Sequence, residues 1–305
     1  MNRDGPDPSA APAAEHPLRA ELARAERVLG AIPPVLAHLV ANQAHAVFSE
    51  EIVARTRGQV ESLARSLVRA TGEDGAPDAL RELTAALVEQ PALVAHCHVL
   101  ALEAQLAERL SREAGMDPVL SPLLQERIAA PDADVAATAM KLLAAQARFS
   151  QSQRRMEMPL GELPADLMPD VLLAFGVACG AGAQTAAHAL RDGFDEAQGR
   201  AALLARVVLG LEQGFVPALN LDSAGVSLFL SAVALATGEN RAAVALATAD
   251  GQQARLALIL AVAGLPVAAV EEVLLRLHPD AALPRALMAL SRDEAIALWA
   301  HGGRG

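Results

Sequence analysis

A chain of 305 residues with 53% hydrophobic side chains can bury a large core, which excludes an intrinsically disordered protein and leaves room for two domains or one extended helical array. Its 36 acidic residues against 25 basic ones give a formal charge of −11, and aromatics make up only 2%, so the chain lacks the positive field and the stacking platforms of a nucleic-acid-binding protein. With one Trp, no Tyr and six Phe, the core must be built from Ala, Leu and Val, an all-α composition.

The first residues, MNRDGPDPSAAPAAEHP, carry no apolar signal-peptide core and read as a disordered leader over 1–15. From His16 to Ile32, Leu18, Leu22, Ala25, Leu29 and Ile32 fall at steps of 4, 3, 4 and 3, one stripe of a helix that Pro33-Pro34 ends. A second helix is expected over Pro34–Val47. A third is expected over 49–71, with Ser49 as N-cap, Glu50 and Glu51 in its first turn, and a stripe at Val53, Thr56, Val60, Leu63 and Leu67. Further helices are expected over Pro77–Glu89, Pro91–Ala114 and Asp117–Ala129, and from Pro131-Asp132 to Met156, where Pro159 forbids continuation.

Beyond Pro164 the helices shorten and lose charge: 164–178, 183–191, 195–213, 223–237, 241–248, 252–263, 267–277 and 292–300. Short amphipathic pairs broken by Asp, Gly and Pro suit an α-solenoid, in which each pair buries its face against its neighbours. The strand-like run VSLFLSAVAL is rich in Ala and reads as a buried helix. The expected organisation is an N-terminal helical bundle over 16–158 followed by a solenoid-like array over 159–301.

No stretch reaches the ~18 uninterrupted apolar residues of a spanning helix, since Gly264-Leu265-Pro266 breaks the best candidate, Leu256–Val270. Cys97 and Cys179 sit far apart in apolar helical contexts and read as free thiols in a reducing compartment. Together these favour the cytoplasm and weigh against a membrane protein.

The densest metal-competent run is Ala95-His96-Cys97-His98. On a helix its two imidazoles point about 200° apart and cannot chelate one ion. None of the eight histidines follows a Glu by three residues, H-E-x-x-H and G-x-S-x-G are absent, and the only lysine, Lys141, follows Met140, which rules out a Walker A loop. No metal or cofactor is called for, and a non-catalytic function is favoured over an enzyme. His188-Ala-Leu-Arg-Asp-Gly193 resembles the His-x-Leu-Lys-Gly-Ser signature of histidine phosphotransfer domains. That resemblance makes His188 an alternative phosphoryl acceptor, with Asp192 standing where the family has glycine. The stripes at 18–32 and 53–67 pack within the chain or form a homodimer seam across residues 18–67.

Residues 149–164, FSQSQRRMEMPLGELP, gather Gln, Arg and Met before two prolines. Arginine suits a helix C-terminus and methionine suits adaptable surfaces, so Gln153, Arg154, Arg155, Met156 and Met158 are the candidate partner-binding residues. The runs FSEEIVARTRGQVESLA and AAPDADVAATAMKLLAAQARF, with the low-charge helices after Pro164, resemble uncharacterised HEAT-like helical proteins of alphaproteobacteria; Pro131-Asp132-Ala-Asp134-Val135-Ala is also how HEAT-type repeats enter their second helix. The resemblance supports a helical-repeat fold and implies no catalytic activity. The expected function is a protein–protein interaction scaffold or adaptor in bacterial signalling, with peripheral membrane association as a further alternative.

Overall fold

The computed structural model describes residues 19–28, 50–72, 77–280 and 290–302. Every regular element among them is helical, and the protein is all-α. Residues 19–28 form α1, followed by α2 (Glu50–Ala70), α3 (Pro77–Val88), α4 (Pro91–Ala114), α5 (Pro122–Ile128), α6 (Ala133–Arg154) and α7 (Met168–Cys179). Then come α8 (Ala181–Asp192), α9 (Arg200–Leu209), α10 (Leu221–Thr237), α11 (Arg241–Ala247), α12 (Gln253–Ala263), α13 (Val267–Leu277) and α14 (Arg292–Gly302). The helix expected over 34–47, the N-cap at Ser49 and the leader over 1–15 lie outside the described residues.

Local chemistry sets the helix ends. The Asp132 carboxylate accepts from Asp134 and Val135 N–H at the start of α6, and Ser121 and Asn240 do the same for α5 and α11. At α14, Ser291 and Glu294 form a reciprocal capping box: Ser291 N–H and its hydroxyl donate to Glu294 Oε2, each at 2.7 Å, and Glu294 N–H donates back to Ser291 Oγ. Those donors hold the exposed Glu294 carboxyl below its ordinary range.

Some helices are shorter than their patterns predict, for identifiable reasons. The segment 117–129 becomes helical only at Pro122, because the Asp117 carboxylate takes Val119 and Leu120 N–H into a turn and Ser121 starts the helix afresh. The span 195–213 divides at Gly199 into a 3₁₀ turn, Glu196–Gln198, and α9. The VSLFLSAVAL run is helical within α10, although Gly225 (φ 68°, ψ 170°) bends that helix near its start.

Chain contacts gather residues 32–232 into one compact unit and residues 1–31 with 233–305 into a second. In the first, the whole α2 stripe of Val53, Thr56, Val60, Leu63 and Leu67 is buried, and α2 packs on α3 and α4. Val60, Leu63 and Leu67 share a core with Leu83 and Leu87 of α3, Leu93 of α4, Phe149, Met158, and Val171 and Phe175 of α7. Each fully buried Leu or Phe contributes about 1.5–3 kcal/mol. The boundary expected at 158/159 therefore falls inside this unit. Met158, Leu163 and Met168 turn inward across it, making a corner where a linker would have left them in water.

In the second unit, α12 packs on α11, α13 and α14, and α1 joins them. Leu22 and Ala25 of α1 are buried, Gln252 Nε2–H donates to Ala25 O (3.4 Å), and Arg255 pairs with Glu26 (3.5 Å). Trp299 is buried, donates through Nε1–H to Glu239 (2.9 Å) and lies under the Arg255 guanidinium.

Candidate functional site: a buried arginine network beside a cleft

The polar centre of the first unit begins with a glycine. Gly199 precedes α9 at the point where the Leu160–Glu162 turn presses on it; a Cβ there would lie 3.0 Å from Glu196 O and 3.2 Å from Gly161 O. This close approach sets Glu162 against Arg200, the first residue of α9. Arg200 Nε–H donates to Glu162 Oε2 (3.0 Å), and its Nη1 donates to Glu103 Oε1 (2.8 Å) and Gln146 Oε1 (3.1 Å). Its Nη2 donates to Glu103 Oε2 (3.3 Å). Ser227 O–H donates to Glu103 Oε1 (2.6 Å) and accepts from Gln146 Nε2–H (2.8 Å), while the Phe149 ring lies 3.6 Å from the guanidinium carbon.

The Arg200 guanidinium of α9 thus ties together α4, α6 and the Leu160–Glu162 turn, and α10 joins the network through Ser227 on Glu103 and Gln146. Burial by itself would lower the Arg200 pKa, but the charges of Glu103 and Glu162 and their hydrogen bonds outweigh it and raise the pKa above its ordinary value. A desolvated ion pair of this kind gives little net stability over an apolar replacement, but removing one partner strands a buried charge at about 3–5 kcal/mol. Losing one member of the network therefore costs far more than the intact pair adds to stability.

A cleft of about 470 Å³ opens beside this network, within the volume range of small-molecule sites. Phe149, Leu160, Met168, Leu190 and Phe194 supply apolar wall. Arg148, Glu162, Asp195 and Arg200 are its charged groups. In the sequence, position 162 belongs only to a proline-bounded corner, and Arg200, Glu103, Gln146 and Ser227 carry no local motif. The signal available was faint: single charged residues, Glu103 and Arg200, inside otherwise apolar helical stripes.

The corner at 149–164 divides differently from its expected surface. Arg154, Arg155 and Met156 are exposed, with Met156 at 40%. Gln153 and Met158 are buried at 1% and 0%, so they are interior residues and not part of a docking face. Gln153 Oε1 accepts from Gln59 Nε2–H on α2 (3.1 Å), and Met158 Sδ lies 3.6 Å from Cys97 Sγ. The physical cause is the helix ending: α6 closes with Glu157 N–H on Ser152 O (2.8 Å) and Met156 N–H on Gln153 O (3.1 Å), a Schellman turn that swings Met158 back into the core. Its left-handed position holds Met156 (φ 57°) where glycine is usual.

The histidine run is separated as its helical spacing predicts. His96 Nε2 lies 2.7 Å from Glu162 O, and His98 is buried on another side of α4, where desolvation lowers its pKa to about 4. Burial pushes the Cys97 thiol up to about 12, which keeps it protonated and inert. His188 is exposed on α8 and lies outside the cleft wall. Among the described residues no three His, Cys, Asp or Glu side chains converge on a metal position, and no single helix is long and apolar enough to cross a membrane.

One other surface stands out. α7 has a single charged residue, Asp170, and is otherwise apolar around its circumference, yet Leu173 and Val177, one turn apart, are 69% and 80% exposed. Comparison with family models, with curated proteins and with solved structures finds no match to this chain.

Proposed function

We propose that this protein is a non-catalytic scaffold or adaptor of bacterial signalling, docking a protein partner on the outer face of α7. The observation that carries it is the Leu173–Val177 pair. A helix apolar on all sides is normally buried on all sides, and scattered exposed apolar residues are ordinary while a same-face pair on an unpolar helix is not. The solenoid-like part of the architecture belongs to the same proposal. Its support is that α7 packs on α8, α11 on α12 and α12 on α13, each helix against its chain neighbour.

The test is affinity purification of the full-length protein from its native cell, beside a Leu173→Asp/Val177→Asp variant and an Arg154→Glu/Arg155→Glu variant. Both substitutions lie on exposed positions, so circular dichroism and thermal midpoint should match wild type. A partner lost from the α7 variant and kept by the arginine variant supports the proposal. A partner kept by the α7 variant, or lost only from the arginine variant, overturns the α7 assignment.

A further inference from the structure

We propose that the cleft beside Arg200 binds a small organic cation with an apolar body, an alkyl- or arylammonium, whose charged head sits on Glu162. The inference is independent of the α7 surface, since Leu173 and Val177 do not line the cleft.

Glu162 carries the argument. Its Oε2 is fixed by Arg200 Nε–H at 3.0 Å, while its Oε1 accepts no hydrogen bond from the described residues and the side chain keeps 12% exposure at the cleft. One carboxylate oxygen is thus clamped and the other is presented, already oriented, to whatever enters. Arg148 lines the same cleft from an exposed position. Arg148 makes no ion pair with Glu162 or Asp195 among the described residues.

An anion meets the opposite situation. The Arg200 guanidinium faces inward to Glu103, Gln146 and Glu162, the wall's other cation, Arg148, is exposed to solvent, and an anion entering the cleft would meet Glu162 and Asp195. The apolar wall, with Phe149 and Phe194, suits a hydrocarbon or aromatic body, and ring faces attract a cation. The ammonium chemistry has two sources, a free amine or a lysine side chain offered by another protein; the volume of about 470 Å³ fits a free ligand, and that source is the one proposed.

The experiment titrates the full-length protein by calorimetry and by thermal shift with 2-phenylethylammonium, with phenylacetate as the anion of the same frame, and with a capped peptide holding one lysine. Binding of 2-phenylethylammonium and none of phenylacetate is expected. Glu162→Gln keeps an acceptor for Arg200 and should weaken the amine about tenfold or more. Ala189→Phe starts from an exposed position at the cleft and fills it, leaving the Glu162–Arg200 pair alone; it should abolish binding at an unchanged thermal midpoint. Equal binding of phenylacetate, undiminished affinity in either variant, or binding of the lysine peptide alone would each overturn the proposal of a free-amine site.

Discussion

At the scale of single residues, burial decides which titratable groups matter. His98 is 4% exposed, and desolvation lowers its pKa from 6.5 to about 4. Between those values the unfolded chain binds a proton that the folded chain refuses, so stability falls as pH drops through 6.5 and the loss is complete near 4, amounting to about 3 kcal/mol. His98→Gln, uncharged throughout, should flatten this slope. Urea unfolding at pH 7 and at pH 4.5 checks it: the wild type should lose more stability than the variant, and equal losses would mean that the imidazole is protonated in the folded protein. Such a residue is half legible in sequence. The helical spacing of His96 and His98 already separates them, but whether His98 faces core or water depends on α4 being covered on most of its circumference, which its pattern does not state.

At the scale of elements, the end of α6 shows why a boundary could be read and its surface could not. Pro159 and the Arg pair announce a helix stop, and the helix does stop, at Arg154. What sequence conceals is the left-handed Met156, because a Schellman turn is normally announced by glycine. That turn reverses the chain, buries Met158 and sets Met156 on Gly58 of α2. A Cβ on Gly58 would lie 2.6 Å from Met156 Cβ and 3.1 Å from its carbonyl oxygen. Gly58→Ala should gain about 1 kcal/mol of helix propensity and lose about 1–3 kcal/mol to overpacking, a net destabilisation. In a Met156→Gly background the 2.6 Å clash is gone and only the 3.1 Å approach to the backbone oxygen remains, so the same substitution should cost less than in the wild type. A double-mutant cycle in urea reads the coupling directly: about 1 kcal/mol or more is expected, and additive effects would show that the two residues do not touch. The Arg200 network was illegible for a related reason. Its members, at 103, 146, 162, 200 and 227, come from five elements, and helical periodicity says which face of a helix is apolar, never which distant helix supplies a partner.

At the scale of the whole molecule, the helical content was written plainly in an Ala- and Leu-rich chain, while the grouping of helices was not. Proline at 159 and 164 suggested a division there, yet the units join 1–31 with 233–305 because α1 supplies Leu22 and Ala25 as buried side chains and Glu26 as the partner of Arg255, 229 positions away. Sequence proximity cannot announce such a closure, and its entropic cost grows only slowly with the loop spanned. The arrangement makes a remote prediction with a local reporter. Trp299, the only tryptophan, is buried in this unit under Arg255 and bonded to Glu239. Leu22→Ala deletes buried methyl groups and should cost about 2–4 kcal/mol, and Glu26→Gln, which weakens a partly exposed ion pair, about 1 kcal/mol or less. Both losses should appear as a lower urea midpoint in Trp299 fluorescence, even though the substitutions lie at the opposite end of the chain. A Trp299 midpoint indifferent to Leu22→Ala would mean that α1 does not pack in the unit that holds the tryptophan, and the grouping of the two chain ends would fall with it.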